Sequence, residues 1–279
     1  MQVEIEEQKL VCKTFNLFQV IILNNSKYKA LNKSLYEWLE LACYKFPTKV
    51  VNVKKNDAIF EILQNCISNI ASHMIVLFAS TPLITAETLD QIVEYANIKN
   101  VKACKLPLGY VFKNDYLKNN IAPEFDSLFT HAYEEFYNVE YKKQLNMITE
   151  ILRKRVVDYH IQNGVNIVNP ASVTIEPEVD IASGVEIYAN NVLKGKTQIK
   201  SGVILKENNV ISNSKVFENC CLSHSVIEDS ILEQNVYIKP FCDILHSRIK
   251  ANTILNSHTT IENDIVVENI GKKNENTRS

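Results

Sequence analysis

No stretch of this 279-residue chain is long and apolar enough to cross a bilayer: the longest apolar runs, residues 18–23 and 74–79, fall far below the ~18–20 residues that a span requires. Charge of one sign is missing too. Thirty Lys and Arg against 32 Asp and Glu leave a net charge of −2, with no basic stripe to neutralise a phosphate backbone. That balance argues against nucleic acid as a partner and favours small molecules or proteins. The opening residues carry Glu4, Glu6 and Glu7 and no basic region followed by an apolar run, so they do not read as a secretory signal. Seven cysteines, at 12, 43, 66, 104, 220, 221 and 242, form no CxxC pair and have no companion HxxxH, which indicates neither a disulfide framework nor a zinc site. Reduced thiols in a cytoplasm are expected. The remaining composition, 46% hydrophobic and 22% charged, is that of an ordinary globular chain, and its length predicts two domains.

What the sequence does contain is a repeat. From Ile175 onward aliphatic or aromatic residues recur every six positions, at Ile175, Ile181, Ile187, Leu193, Ile199, Leu205, Ile211 and Phe217. The stride shortens to five through Leu222, Ile227 and Leu232, then continues at Ile238, Ile244, Ile249, Leu255, Ile261 and Val267. A period of six fits neither a helix nor a hairpin meander. It fits a β-solenoid whose coil has three flat faces, each ladder residue pointing into the prism. The third residue after the ladder residue is Gly184, Asn190, Gly202, Asn208, Asn235, Asn252 and Asp264. These are the residue types that tolerate the positive φ of a corner. About five coils are expected.

Ahead of the repeat, Leu145, Ile148, Leu152, Val156 and Tyr159 recur at three and four, which predicts a helix over 140–163 stopped by Gly164. Upstream again, the runs at 18–23 and 74–78 read as strands covered on both faces, with weaker candidates at 50–53 and 109–112. Thr85 can cap a helix whose Leu89, Ile92, Val93 and Ala96 face inward. Alternating strands and helices predict a mostly parallel sheet, whose ligands sit beyond the carboxyl ends of the strands. Residues 24–29 and 80–83 are therefore the places to look for chemistry.

Residues 151–155, 163–167, Asn169–Pro170 and 175–177, together with 225–227 and 238–241, resemble the junction and later coils of the bacterial bifunctional N-acetylglucosamine-1-phosphate uridylyltransferase and glucosamine-1-phosphate acetyltransferase family. Residues 19–23 and 29–31 resemble the strand before and the lysine motif after the nucleotide loop of its nucleotide-binding half, and 81–89 resemble the stretch following its metal-binding aspartate. The resemblance implies a reduced α/β Rossmann-like nucleotidyltransferase domain (1–138), a linker helix (139–164), a left-handed parallel β-helix of hexapeptide repeats (165–268) and a polar tail (269–279). It also implies a homotrimer, a UDP-sugar or sugar phosphate as ligand, and Mg²⁺ if the chain is active.

The departures fall on the chemistry. The family's Gly-rich, Arg-bearing phosphate loop is here Asn24, Asn25, Ser26 and Lys27, which with Thr81 form the expected nucleotide-binding set. Lys29 stands where the family has a phosphate-contacting lysine, though a solvated surface lysine is the plainer reading. Ser80 occupies the position of the metal-binding aspartate, and a hydroxyl carries no charge to hold Mg²⁺. Glu140 stands at a second metal ligand, though a carboxylate favourable to a helix start is the plainer reading. The family's base-reading segment appears as Lys55-Asn-Asp-Ala58. In the repeat, Leu245 and Glu262 replace an arginine and a phosphate-binding lysine. Counting coils puts His224 over Pro240 and Ser257, and His246 between Asp229 and Asn263, so the solenoid histidines read as isolated. Three functions are expected in descending order: a scaffold or ligand-binding homologue with lost or strongly reduced catalysis, a nucleotidyltransferase with a rebuilt site using Lys29, Ser80 and Glu140, and a hexapeptide acyltransferase.

Overall fold

The computed structural model describes residues 17–54, 57–120 and 123–266. The acidic opening, Cys12, Lys55, Val267 and the polar tail lie outside the described residues. The chain divides into two compact units, 1–149 and 150–279.

The first unit is built on a sheet whose strands bury both faces. Strand β1 (Phe18–Asn24) is followed by a short hairpin, β2 (Lys29–Ala30) and β3 (Lys33–Ser34), then helix α1 (Leu35–Ala42), β4 (Thr48–Asn52) and α2 (Ile59–Gln64). Next come β5 (His73–Phe78), α3 (Ala86–Lys99), β6 (Ala103–Leu106), β7 (Gly109–Lys113), α4 (Asn114–Asn119) and β8 (Ser127–Leu128). The sheet order is β4-β1-β5-β7-β6-β8, parallel except for β7, which runs against both its neighbours. One face packs Phe18, Val20, Ile22, Ile75 and Leu77 with Leu39 of α1 and with Leu89, Ile92, Val93 and Ala96 of α3. The other packs Ile21, Leu23, Met74, Val76 and Phe112 with Leu63 of α2 and Leu117 of α4. Continuous apolar strands follow from that two-sided burial. At the start of α3 the Thr85 side chain accepts a hydrogen bond from the Thr88 N–H (3.3 Å), the expected cap. Strands β6 and β8 were not foreseen; β8 has two residues, too few to show a period.

Helix α5 (Lys142–Gln162) buries Ile148, Leu152, Val156, Val157 and His160. The expected face drifts at its end: Tyr159 is 62% exposed, and Val157 and His160 turn inward instead. Gly164, at φ +87°, ends the helix, with Val165 N–H reaching back to the His160 carbonyl.

The second unit continues as the solenoid. Eighteen short strands, from β9 (Asn166–Ile167) to β26 (Ile265–Val266), stack into three parallel sheets, each six strands deep among the described residues. This is a column of five coil-to-coil steps, ~24 Å at ~4.8 Å per step. Ladder residues from Ile175 to Leu255 are buried, with one revision. Val216, not Phe217, pairs with Ile199 and is fully buried, while Phe217 is half-buried. The five-residue step therefore falls between Ile211 and Val216. The last described rung pairs Val266 with Ile249, and the expected Val267 lies outside the described residues. The matching corner is Asn263, at φ +54°, and not Asp264. At Val216 and at Asn263 two adjacent residues of similar chemistry left the period ambiguous, and the tighter corner decides. Positive φ at Gly184, Asn190, Gly202, Asn208, Asn235 and Asn252 matches the expected corners.

Candidate functional site

A cavity of about 490 Å³ opens beyond the carboxyl ends of β1 and β5, lined by Asn25, Ser26, Lys27, Tyr28, Ser80, Asn138, Val139 and Glu140. Two consecutive side-chain turns shape its first wall: Ser26 N–H donates to Asn24 Oδ1 (3.4 Å), and Tyr28 N–H to Ser26 Oγ (3.3 Å). Short polar residues make such local bonds readily, which holds a loop without glycine. Asn24 is anchored in turn by its amide, which donates to Asn52 Oδ1 at 2.8 Å. The second wall is Ser80, two residues past the end of β5. The third comes from 138–140, docked by Val139 N–H on the Ser80 carbonyl (2.8 Å) and by the Tyr28 hydroxyl on the Glu140 carbonyl (3.2 Å). Gln144 fixes that segment from α5, its Oε1 accepting from the N–H groups of Glu140 and Tyr141 at 2.8 and 2.9 Å.

The structure thus brings together five of the predicted residues: Asn25, Ser26, Lys27, Ser80 and Glu140. The others stand apart from the lining. Lys29 is exposed on β2. Thr81 is fully buried, its hydroxyl donating to the Phe78 carbonyl at 2.8 Å, and it braces the β5 turn. Tyr28 falls within the loop singled out from the sequence, though no role was assigned to it; Asn138 and Val139 were not anticipated. The last two reach the cleft from almost 60 residues downstream through a backbone bond that leaves no sequence pattern.

Ser80 is 5% exposed, and its Oγ is buried without a hydrogen-bond partner among the described residues. Glu140 Oε1 accepts from the Asn138 amide at 2.6 Å. Among the described residues no three His, Cys, Asp or Glu side chains gather to hold a metal. With one carboxylate already bonded to an amide, one ammonium and otherwise neutral groups, the lining does not fit a resident Mg²⁺, which is held through carboxylates and substrate phosphates.

In the solenoid, the corner count needs revision. His224, Phe241 and His258 all adopt positive φ in one column, the rings 5.7 and 5.1 Å apart, below Asn208, whose Nδ2 lies 2.9 Å from His224 Nε2. His224 therefore lies over Phe241, not Pro240, because the five-residue step omits its residue before this corner. His246 does lie between Asp229 and Asn263, with Nδ1 3.7 Å from Asp229 Oδ2, beside a cavity of about 270 Å³. Burial pushes the Cys43 thiol up to about 12 and the Cys104 and Cys220 thiols up to about 11, which keeps them protonated. Among the described residues no helix is long and apolar enough to cross a membrane.

No family model matches the chain. The chain is similar to curated proteins called bifunctional protein GlmU. That of Clostridium acetobutylicum is 34% identical over 112 residues, 40% of this chain and 25% of the relative. The Streptococcus mutans protein is 32% identical over 136 residues, 49% and 28% of the two chains. The Thermoanaerobacter pseudethanolicus protein is 36% identical over 116 residues, 42% and 25%. The resemblance read from the sequence is found again here, and the matches cover less than a third of the length of these relatives. Among solved structures, the acetyltransferase domain of PglB from Neisseria gonorrhoeae in complex with acetyl coenzyme A is 13% identical, with 88% of each chain covered and a TM-score of 0.33. At that score the likeness carries no argument about this chain.

Proposed function

We propose that this relative of the GlmU proteins acts in sugar-nucleotide metabolism as a ligand-binding scaffold whose nucleotidyl transfer is lost or strongly reduced, with its ligand held in the cleft beyond β1 and β5. The observation that carries the reading is the make-up of the cleft. It keeps the position in which open α/β sheets bind ligands and a buried hydroxyl, Ser80, without a partner among the described residues. Yet it offers one cation and one carboxylate where phosphoryl chemistry depends on concentrated positive charge. The α/β unit then descends from a nucleotidyltransferase domain and the solenoid from a left-handed acetyltransferase helix.

A second reading, a rebuilt nucleotidyltransferase making a UDP-sugar from UTP and a sugar 1-phosphate, is favoured by the convergence of Lys27, Ser80 and Glu140 on one cavity. The test is pyrophosphate release by the full chain at micromolar concentration with UTP, N-acetylglucosamine 1-phosphate and Mg²⁺, beside a Lys27→Ala variant. Background release by both proteins is the expected result. Robust turnover removed by Lys27→Ala overturns the first reading in favour of the second. An acyltransferase reading has the His246–Asp229 pair as its support, and absence of acetyl-CoA binding in calorimetry removes it.

A further inference from the structure

We infer that the β1/β5 cleft takes the neutral, hydroxyl-rich ring of a sugar and not a nucleoside triphosphate, an inference that rests on the reading of this cleft as the ligand site. The lining supplies two ionised groups, Lys27 and Glu140, whose charges cancel. A triphosphate carries several negative charges, and its sites surround it with cations, backbone N–H cradles or metal. None of the lining residues is glycine, and the Glu140 carboxylate, an acceptor only, faces the same cavity as Lys27.

The remaining polar side chains, Asn25, Ser26, Asn138 and Ser80, are amides and hydroxyls that donate and accept alike. That dual character matches sugar hydroxyls, which also do both, and is wasted on phosphate oxygens, which only accept. Ser80 adds the independent sign of a ligand. This lining residue is 5% exposed, and its Oγ is buried without a partner among the described residues. A small rotation of that side chain toward the cleft gives the hydroxyl its missing hydrogen bond from a ligand hydroxyl. Tyr28, a half-buried lining residue whose hydroxyl is tied to the Glu140 carbonyl, would supply an aromatic ring for the C–H face of a pyranose.

The experiment titrates the full chain, by NMR of backbone amides, with N-acetylglucosamine, N-acetylglucosamine 1-phosphate, and UTP with and without Mg²⁺, each at low and high salt. The expected result is saturable shifts at Asn25–Tyr28 and Asn138–Glu140 with the neutral sugar. Its affinity should change less than about twofold with salt, because no net charge is paired. The 1-phosphate should bind no more tightly, and UTP at least about tenfold more weakly, a gap of roughly 1.4 kcal/mol. Ser80→Ala should weaken the sugar about tenfold. If that variant does not fold, Lys27→Gln serves, because it spares a neutral ligand and removes the affinity of an anion site. Salt-sensitive binding of UTP or of the 1-phosphate, tighter than the neutral sugar, overturns this inference while leaving the cleft as the ligand site. No shift in the cleft with any probe overturns both.

Discussion

His160 is 4% exposed on the inner side of α5, and burial holds its imidazole below the usual histidine range, opposed by the nearby Asp180 carboxylate. A base whose folded pKa is depressed binds fewer protons when folded than when unfolded. Its contribution is therefore complete above the ordinary value near ~6.5, and is lost as pH falls from there through the depressed folded value. Thermal unfolding of the chain should accordingly lose up to about 1.4 kcal/mol per pH unit within that window, and His160→Gln should flatten the slope. An unchanged slope would assign the pH dependence elsewhere. At this scale the sequence was readable where local chemistry sets the outcome. Asn25, Ser26 and Lys27 follow a strand end, and strand ends in a parallel sheet face the ligand crevice. Asn138 and Val139 were not readable, because their presence in the lining depends on a long-range docking of 138–140 onto Ser80.

Within the elements, the Asn corners do two jobs. Asn235 holds φ +59°, and its Nδ2 donates to Asn252 Oδ1 at 3.0 Å while its Oδ1 accepts from Asn219 Nδ2 at 3.4 Å. An alanine there keeps the Cβ penalty of the left-handed region and loses both amide contacts, so Asn235→Ala should cost roughly 2 kcal/mol. Asn235→Gly should cost less, since glycine enters that region freely. Denaturant unfolding of the pair separates strain from hydrogen bonding; equal losses would mean that the amide ladder dominates. The spacing of the ladder made the solenoid legible, because inward positions must be apolar at every rung. The five-residue steps were less so: Val216 beside Phe217 offers two apolar residues for one inward place, and only the corner geometry tells them apart.

For the whole molecule, the outward stripe Ile204, Cys221, Tyr237 and Ile254 runs up one solenoid face in direct register, with Tyr237 39% and Ile254 44% exposed. An apolar stripe of this kind gains from being covered. The resemblance supplies the expected occupant, two further copies of the chain. Light scattering should then return about three times the 31.9 kDa chain mass, and Tyr237→Lys should shift the population toward monomer. A monomeric parent chain at micromolar concentration would remove this expectation.

The stacking of the coils has a mechanical consequence. Each rung bonds only to the rungs directly above and below it, as where Leu222 pairs with Leu205 on one side and Ile238 on the other. Cohesion is consequently local along the column. Pulled from its carboxyl end, such a column peels one coil at a time. A coil of 17 residues, such as that from Leu205 to Leu222, releases roughly 60 Å of chain at ~3.3–3.6 Å per residue. The coils still seated keep their strength, so the trace is a staircase of near-equal treads and not a single rupture.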